Sequence, residues 1–133
     1  MYEGSCLCGS VAYVIEGEIG KGYYCHCDRC RKASGSAFAS NAVISPGDFK
    51  IISGEELLKT YFNEDTGLMR KFCSNCGSPI ISYRPKTDVM AVRLGTIDSP
   101  SPKGPVAHIF VGSKADWVSI TDGLPCFNER PES

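Results

Sequence analysis

The sequence predicts a mainly β domain of many short strands, on three observations. Apolar and polar residues alternate with a period of two in short runs. Turn signals rich in Gly, Pro, Asn and Asp separate those runs. Nothing supports a long amphipathic helix, an internal repeat, a coiled coil or a low-complexity tail. At 133 residues, with 42% hydrophobic and 22% charged content, the chain suits a single globular domain spanning 1–133.

In chain order, Val11, Tyr13 and Ile15 alternate with Ala12, Val14 and Glu16, the pattern of a half-buried strand. Gly17 and Gly20 punctuate the turn that follows. Further strands are expected at Gly22–Cys25, Phe38–Ile44, Phe49–Ser53, Leu57–Phe62, Arg70–Cys73, Ile80–Tyr83, Met90–Leu94 and His108–Val111. Between them lie turns at Ser45-Pro46-Gly47-Asp48, Asn63-Glu64-Asp65-Thr66-Gly67 and Ser99-Pro100-Ser101-Pro102. Strands this short and this regularly spaced suggest a sandwich or a barrel-like sheet. One short helix is expected at Asp28–Ala33, ended by Ser34-Gly35. The stretch Ser99–Pro105 reads as a long surface loop feeding a last strand, because the 28 residues after it are too few for a separate core.

Charge and cysteine content narrow the function. With 14 Lys+Arg against 15 Asp+Glu, the chain lacks the basic excess of a protein that neutralises phosphates, so no nucleic-acid partner is expected. Its apolar runs are far too short to span a membrane, so no membrane partner is expected either. The N-terminus Met1-Tyr2-Glu3-Gly4-Ser5-Cys6 carries neither the positive nor the apolar region of a secretory signal, which points to the reducing cytoplasm. In that setting eight cysteines are expected to be metal ligands or catalytic groups rather than disulfides.

Their spacing agrees. They fall as Cys6-x-Cys8, Cys25-x-Cys27-x-x-Cys30, Cys73-x-x-Cys76 and a lone Cys126. Disulfides inside such groups would be small, strained rings. Zinc–sulfur bonds of about 2.3 Å set sulfurs roughly 3.8 Å apart, a span that closely spaced cysteines reach easily. On a strand, residues i and i+2 share a face, so Cys6 and Cys8 project together. Joined by Cys73 and Cys76, whose turn ends at Gly77, they form a closed four-thiolate set, the pattern of a structural zinc. Cys25, Cys27 and Cys30 remain as a set of three, which leaves one position open and is the pattern of a catalytic zinc. Arg29, Arg31 and Lys32 beside them are candidates to attract an anionic substrate and favour thiolate. Ser34 with Gly35 forms a candidate anion-binding turn. His26, between two ligands, should point away from the metal, either packed or supporting the ligands from behind. Cys126 reads first as a small buried hydrophobe, with a remote fourth ligand or a reactive thiol as the alternatives.

Gly4-Ser5-Cys6-Leu7-Cys8-Gly9-Ser10-Val11 and the run from Cys25 to Ser36 resemble the glutathione-dependent formaldehyde-activating enzyme family, whose domain is shared with centromere protein V. The similarity continues through Phe72–Pro79, Gly95–Asp98, His108-Ile109, Ser113–Trp117 and Asp122–Pro125. The resemblance implies a β-tent fold of short antiparallel strands with two zinc ions per chain. It places a structural zinc on Cys6, Cys8, Cys73 and Cys76, and the reacting zinc on Cys25, Cys27 and Cys30. It implies carbon–sulfur lyase-type chemistry, in which a glutathione-like thiol and a small carbonyl such as formaldehyde form or release S-hydroxymethylglutathione. Arg29, Arg31, Lys32 and Lys114 are the candidates for the two glutathione carboxylates, and Ser34, Ser36 or a backbone amide for the oxyanion. Trp117 is expected to pack. Two other readings compete: a non-catalytic zinc-bearing interaction module, and a methionine-R-sulfoxide reductase suggested by Cys126-Phe127-Asn128. The second is disfavoured because that family holds zinc with two C-x-x-C pairs.

Overall fold

The computed structural model describes residues 1–131, which form eleven strands and one short α-helix. In chain order these are β1 (Tyr2–Ser5), β2 (Ala12–Ile15), β3 (Ile19–Cys25), α1 (Asp28–Ser34), β4 (Ala39–Ile44) and β5 (Phe49–Ser53), then β6 (Leu58–Asn63), β7 (Leu68–Cys73), β8 (Pro79–Arg84), β9 (Val89–Arg93), β10 (Ile97–Ser99) and β11 (Ala107–Ile109). They divide between two compact units. Met1–Gly20 with Ala42–Pro102 forms the first, and Lys21–Asn41 with the chain from Lys103 onward forms the second.

In the first unit β10, β1, β2 and β5 make an antiparallel sheet in that order. The period-two pattern predicted for β2 sets its burial: Tyr13 and Ile15 are buried while Ala12 and Val14 are half-exposed. Gly4, opposite Tyr13 on β1, is needed because a β-carbon there would overlap the Tyr13 ring. A meander of β6, β7, β8 and β9 completes the unit. Its first hairpin turns on Asn63, whose side-chain oxygen accepts from Asp65 N at 2.9 Å and whose carbonyl accepts from Gly67 N at 2.8 Å. These strands lie in open runs rather than the closed barrel that was one expectation. The core joins Val11, Tyr13 and Ile15 to Ile80, Ile81 and Val92, with Cys6 and Cys73 buried among them.

In the second unit β11 pairs with β3 in parallel, Ile109 facing Cys25. The all-antiparallel expectation therefore fails here, because β11 returns by the long connection through 100–106 rather than by a hairpin. The segment after Pro125 flanks the other side of β11: His108 N donates to Pro125 O and Phe127 N to His108 O, both at 2.9 Å. The strand expected to reach Val111 stops at Ile109, because Phe110 adopts a left-handed φ of 55°. Gly35, at φ 67°, closes α1 by donating to Arg31 O. No helix among the described residues is long and apolar enough to cross a membrane.

Candidate metal centres

The first unit gathers Cys6, Cys8, Cys73 and Cys76, with all four sulfurs within 4.8 Å of one another. Cys6 Sγ lies 3.5 Å from Cys8 Sγ, and Cys8 Sγ lies 3.9 Å from Cys73 Sγ. Those separations match the roughly 3.8 Å expected between sulfurs on one tetrahedral zinc. Cys6 and Cys8 were expected on a strand, but β1 ends at Ser5. A tight turn brings their sulfurs together instead, with Cys6 N donating to Val11 O and Gly9 N to Cys6 O, both at 3.0 Å. Gly9, at φ 80°, lets that turn close. The second pair sits at the β7–β8 turn, where Gly77, at φ 81°, donates to Cys73 O at 2.7 Å.

The surroundings favour thiolate at Cys8 and Cys76, while burial and the neighbouring Cys76 and Cys6 sulfurs push Cys73 the other way. Val11 N donates to Cys6 Sγ at 3.3 Å. Ser78 Oγ accepts from Leu7 N at 2.8 Å, which leaves its own proton to turn toward Cys76 Sγ, 3.5 Å away. Hydrogen bonds from the Ser78 hydroxyl and amide bring the Cys76 thiol down to about 5. Ser10 and Asn75 bring Cys8 down to about 7. Four soft donors at tetrahedral spacing fit zinc and fill its coordination.

The second unit holds Cys25, Cys27 and Cys30, whose sulfurs also lie within 4.8 Å of one another. Cys25 ends β3, Cys27 caps α1 and Cys30 is buried in that helix. Cys27 keeps an extended backbone (φ −66°, ψ 157°), and its sulfur accepts from Cys30 N at 3.3 Å. Cys25 and Cys27 sulfurs are 3.5 Å apart. Hydrogen bonds from the Cys25 and Cys30 sulfhydryls stabilise a Cys27 thiolate and pull it down to about 2, while the same contacts with burial push Cys25 sharply up. A cation among the three crowded sulfurs would let more than one of them ionise. They fit zinc with one coordination position left over.

Behind this cluster runs a chain of side chains that sequence reasoning did not assemble. His26, fully buried, places Nε2 2.7 Å from His108 Nδ1, and His108 Nε2 lies 2.7 Å from Asp122 Oδ2. Tyr24 stacks on His108 at 4.9 Å, and Phe38 sets its edge against His26 at 5.2 Å. Burial, then the nearby positive groups, holds His26 below the usual imidazole range. The His108 hydrogen bond holds Asp122 below the usual carboxylate range. The pointing of His26 away from the cluster was expected. His108 and Asp122 stood in motif stretches, but nothing in the sequence links positions 82 and 14 residues apart.

The predicted substrate residues divide. Arg29 and Lys32 are exposed on α1. Arg31 pairs with Asp28 one helical turn away. Ser34 Oγ donates to Cys30 O at 2.8 Å and accepts from Ser36 N at 3.3 Å, so its hydroxyl proton closes the helix instead of meeting an oxyanion. Lys114 Nζ donates to Val118 O at 2.6 Å and Ala115 O at 3.1 Å, which ties a loop rather than presenting a cation. That loop buries Ala115 and turns Trp117 outward, 72% exposed, against the expectation that it packs. Cys126, expected buried, is exposed, because its segment flanks β11 through backbone bonds.

Comparison with known proteins adds three findings. The sequence profile described as glutathione-dependent formaldehyde-activating enzyme matches residues 1–113. No curated protein matches significantly. A crystal structure of a Rhodobacter sphaeroides protein aligns with a TM-score of 0.64 at 23% identity, over 77% of this chain and 97% of that one, and so shares its fold.

Proposed function

The chain belongs to the glutathione-dependent formaldehyde-activating enzyme family, and from that membership we propose that it joins a glutathione-like thiol to a small carbonyl such as formaldehyde. The reverse cleavage is carbon–sulfur lyase chemistry. The observation that carries this reading is the inequality of the two clusters: four thiols that complete a tetrahedron, and three that do not. Cys6, Cys8, Cys73 and Cys76 would hold a structural zinc in the family's β-tent fold, and Cys25, Cys27 and Cys30 a reactive one. A zinc held by three thiolates lowers the pKa of a thiol that takes the fourth position, and so supplies the nucleophile. A protein that keeps seven such thiols reduced works in a compartment like the cytoplasm.

The remaining steps belong to the chain and the substrates. Exposed Arg29 and Lys32 meet the carboxylates of the thiol substrate and bring its sulfur to the open side of the three cysteines. That sulfur attacks the carbonyl carbon. The S–C bond forms as the C=O π pair withdraws to oxygen, and the proton given up by the thiol ends on that oxygen. Because Ser34 is engaged in closing α1, the Ser36 hydroxyl on the exposed turn is the donor to test for the developing oxyanion.

The test is glutathione-dependent adduct formation followed by NMR exchange, set against the uncatalysed rate and beside a panel of other thiols. The wild type should accelerate exchange with glutathione and Cys25→Ser should not. No acceleration with any thiol of the panel would overturn the reading.

A further inference from the structure

Between Cys25 and Cys27, whose sulfurs converge to 3.5 Å, His26 is turned to the opposite side and held there. Its backbone N donates to Ile109 O at 3.0 Å, and its ring is sealed from solvent against Phe38. The ring is then gripped at one nitrogen by His108, which is gripped in turn by Asp122. Asp122 is the anchored end, because its Oδ1 also accepts from Leu124 N at 3.0 Å.

The bonds have a direction. A carboxylate only accepts, so His108 Nε2 carries a proton toward Asp122. The 2.7 Å contact between the rings holds one proton. With neither ring charged, that proton belongs to His26 Nε2, and His26 Nδ1 carries none. His26 Nδ1 is buried and finds no partner among the described residues. The ring is therefore fixed from one side only, through His108.

We propose that Asp122 and His108 are positioning residues for the three-cysteine centre, holding His26 in one tautomer and orientation and thereby keeping the Cys25 and Cys27 sulfurs converged. The inference rests on the reading of Cys25, Cys27 and Cys30 as metal ligands. Neither residue touches the reacting atoms. Groups hydrogen-bonded directly to a metal ligand are worth about 10–100-fold in metal affinity, and a group acting through His26 should be worth no more than that.

The experiment uses the zinc-loaded protein and two readouts. Transfer of zinc to a chromogenic chelator should be biphasic, with the labile phase from the three-cysteine centre. Long-range ¹H–¹⁵N spectra report the tautomer of each histidine. The wild type should show His26 and His108 both protonated at Nε2. Asp122→Ala should weaken the labile zinc by up to about 100-fold, leave the tight zinc unchanged and give His26 a mixture of tautomers. Asp122→Asn should act in the same direction should the alanine variant prove poorly folded, and Asp122→Glu should restore both readouts. Two zinc ions with unchanged labile affinity in Asp122→Ala, or a wild-type His26 protonated at Nδ1, overturn this inference alone. A wild type with a single zinc overturns the metal reading and the inference with it.

Discussion

Replacing one cysteine in each cluster should have unequal effects, and Cys73→Ser is the severe case. Cys73 is fully buried in the core of the first unit, between β7 and the turn that Gly77 closes. Serine at that position is a poor ligand and sets a hydroxyl among Val11, Ile80 and Val92. A structural zinc in small domains contributes about 10–16 kcal/mol to folding. At about 0.05–0.15 kcal/mol per residue, a chain of this length has a total stability of roughly 7–20 kcal/mol. Loss of that zinc therefore removes an amount comparable to the whole. Cys25→Ser should cost less, because the β3–β11 ladder and the bonds from 125–129 remain when the more labile zinc is lost. The assay is zinc content per chain beside the dispersion of the amide NMR spectrum. Cys73→Ser should lose its dispersion; Cys25→Ser should keep it and hold one zinc. Equal unfolding of both, or two zinc ions retained by Cys73→Ser, would refute the division into structural and reactive centres.

Other consequences can be checked separately. Burial pushes the Tyr13 hydroxyl up to about 12 from 10. Below pH 10 its contribution is intact; as pH rises from 10 to 12 the unfolded chain loses that proton first, so stability should fall by about 3 kcal/mol. Tyr13→Phe should flatten this alkaline decline relative to wild type in denaturant titrations, and an unchanged slope would contradict the assignment. Gly54→Ala places a β-carbon against the Ser10 carbonyl at φ 79°. It should lower the urea midpoint, with the m-value unchanged, by an amount equivalent to about 1–3 kcal/mol; a neutral result would show that the β2–β5 edge yields easily. Trp117, the single tryptophan, should be freely quenched by acrylamide, and Trp117→Ala should shift stability by no more than about 0.5 kcal/mol. A shielded, blue-shifted emission would place it in contact with the protein.

What could be read from the sequence is what local physics dictates. Period-two burial located β2, turn residues located the β6–β7 hairpin, and Gly35 located the end of α1 within a residue. The cysteine sets were also legible, since i, i+2 and i, i+3 spacings keep sulfurs within reach of one metal in a turn or a helix cap. The route to convergence was not: Cys6 and Cys8 meet in a turn held by the Val11 carbonyl, a contact that spacing alone does not specify. The three-residue β10 lies too close to the Ser99–Pro102 turn for any alternation to register. Parallel pairing of β11 with β3, and the His26–His108–Asp122 chain it permits, depend on residues more than eighty positions apart. Ser34 and Lys114 had the right chemistry for a substrate, but nearby backbone carbonyls take the Ser34 proton and two of the three on the Lys114 ammonium.

The two clusters also differ in when a growing chain can complete them. Cys25, Cys27 and Cys30 leave the ribosome within six residues of one another, whereas Cys8 waits for Cys73, sixty-five residues later. At about 5–20 residues per second that wait is roughly 3–13 s. Throughout it, Cys6 and Cys8 are a nascent dithiol, open to oxidants and to mispairing with the trio downstream, whose own support from His108 and Asp122 emerges later still. Expression under oxidative stress should therefore reach these thiols before any mature protein exists to be inactivated.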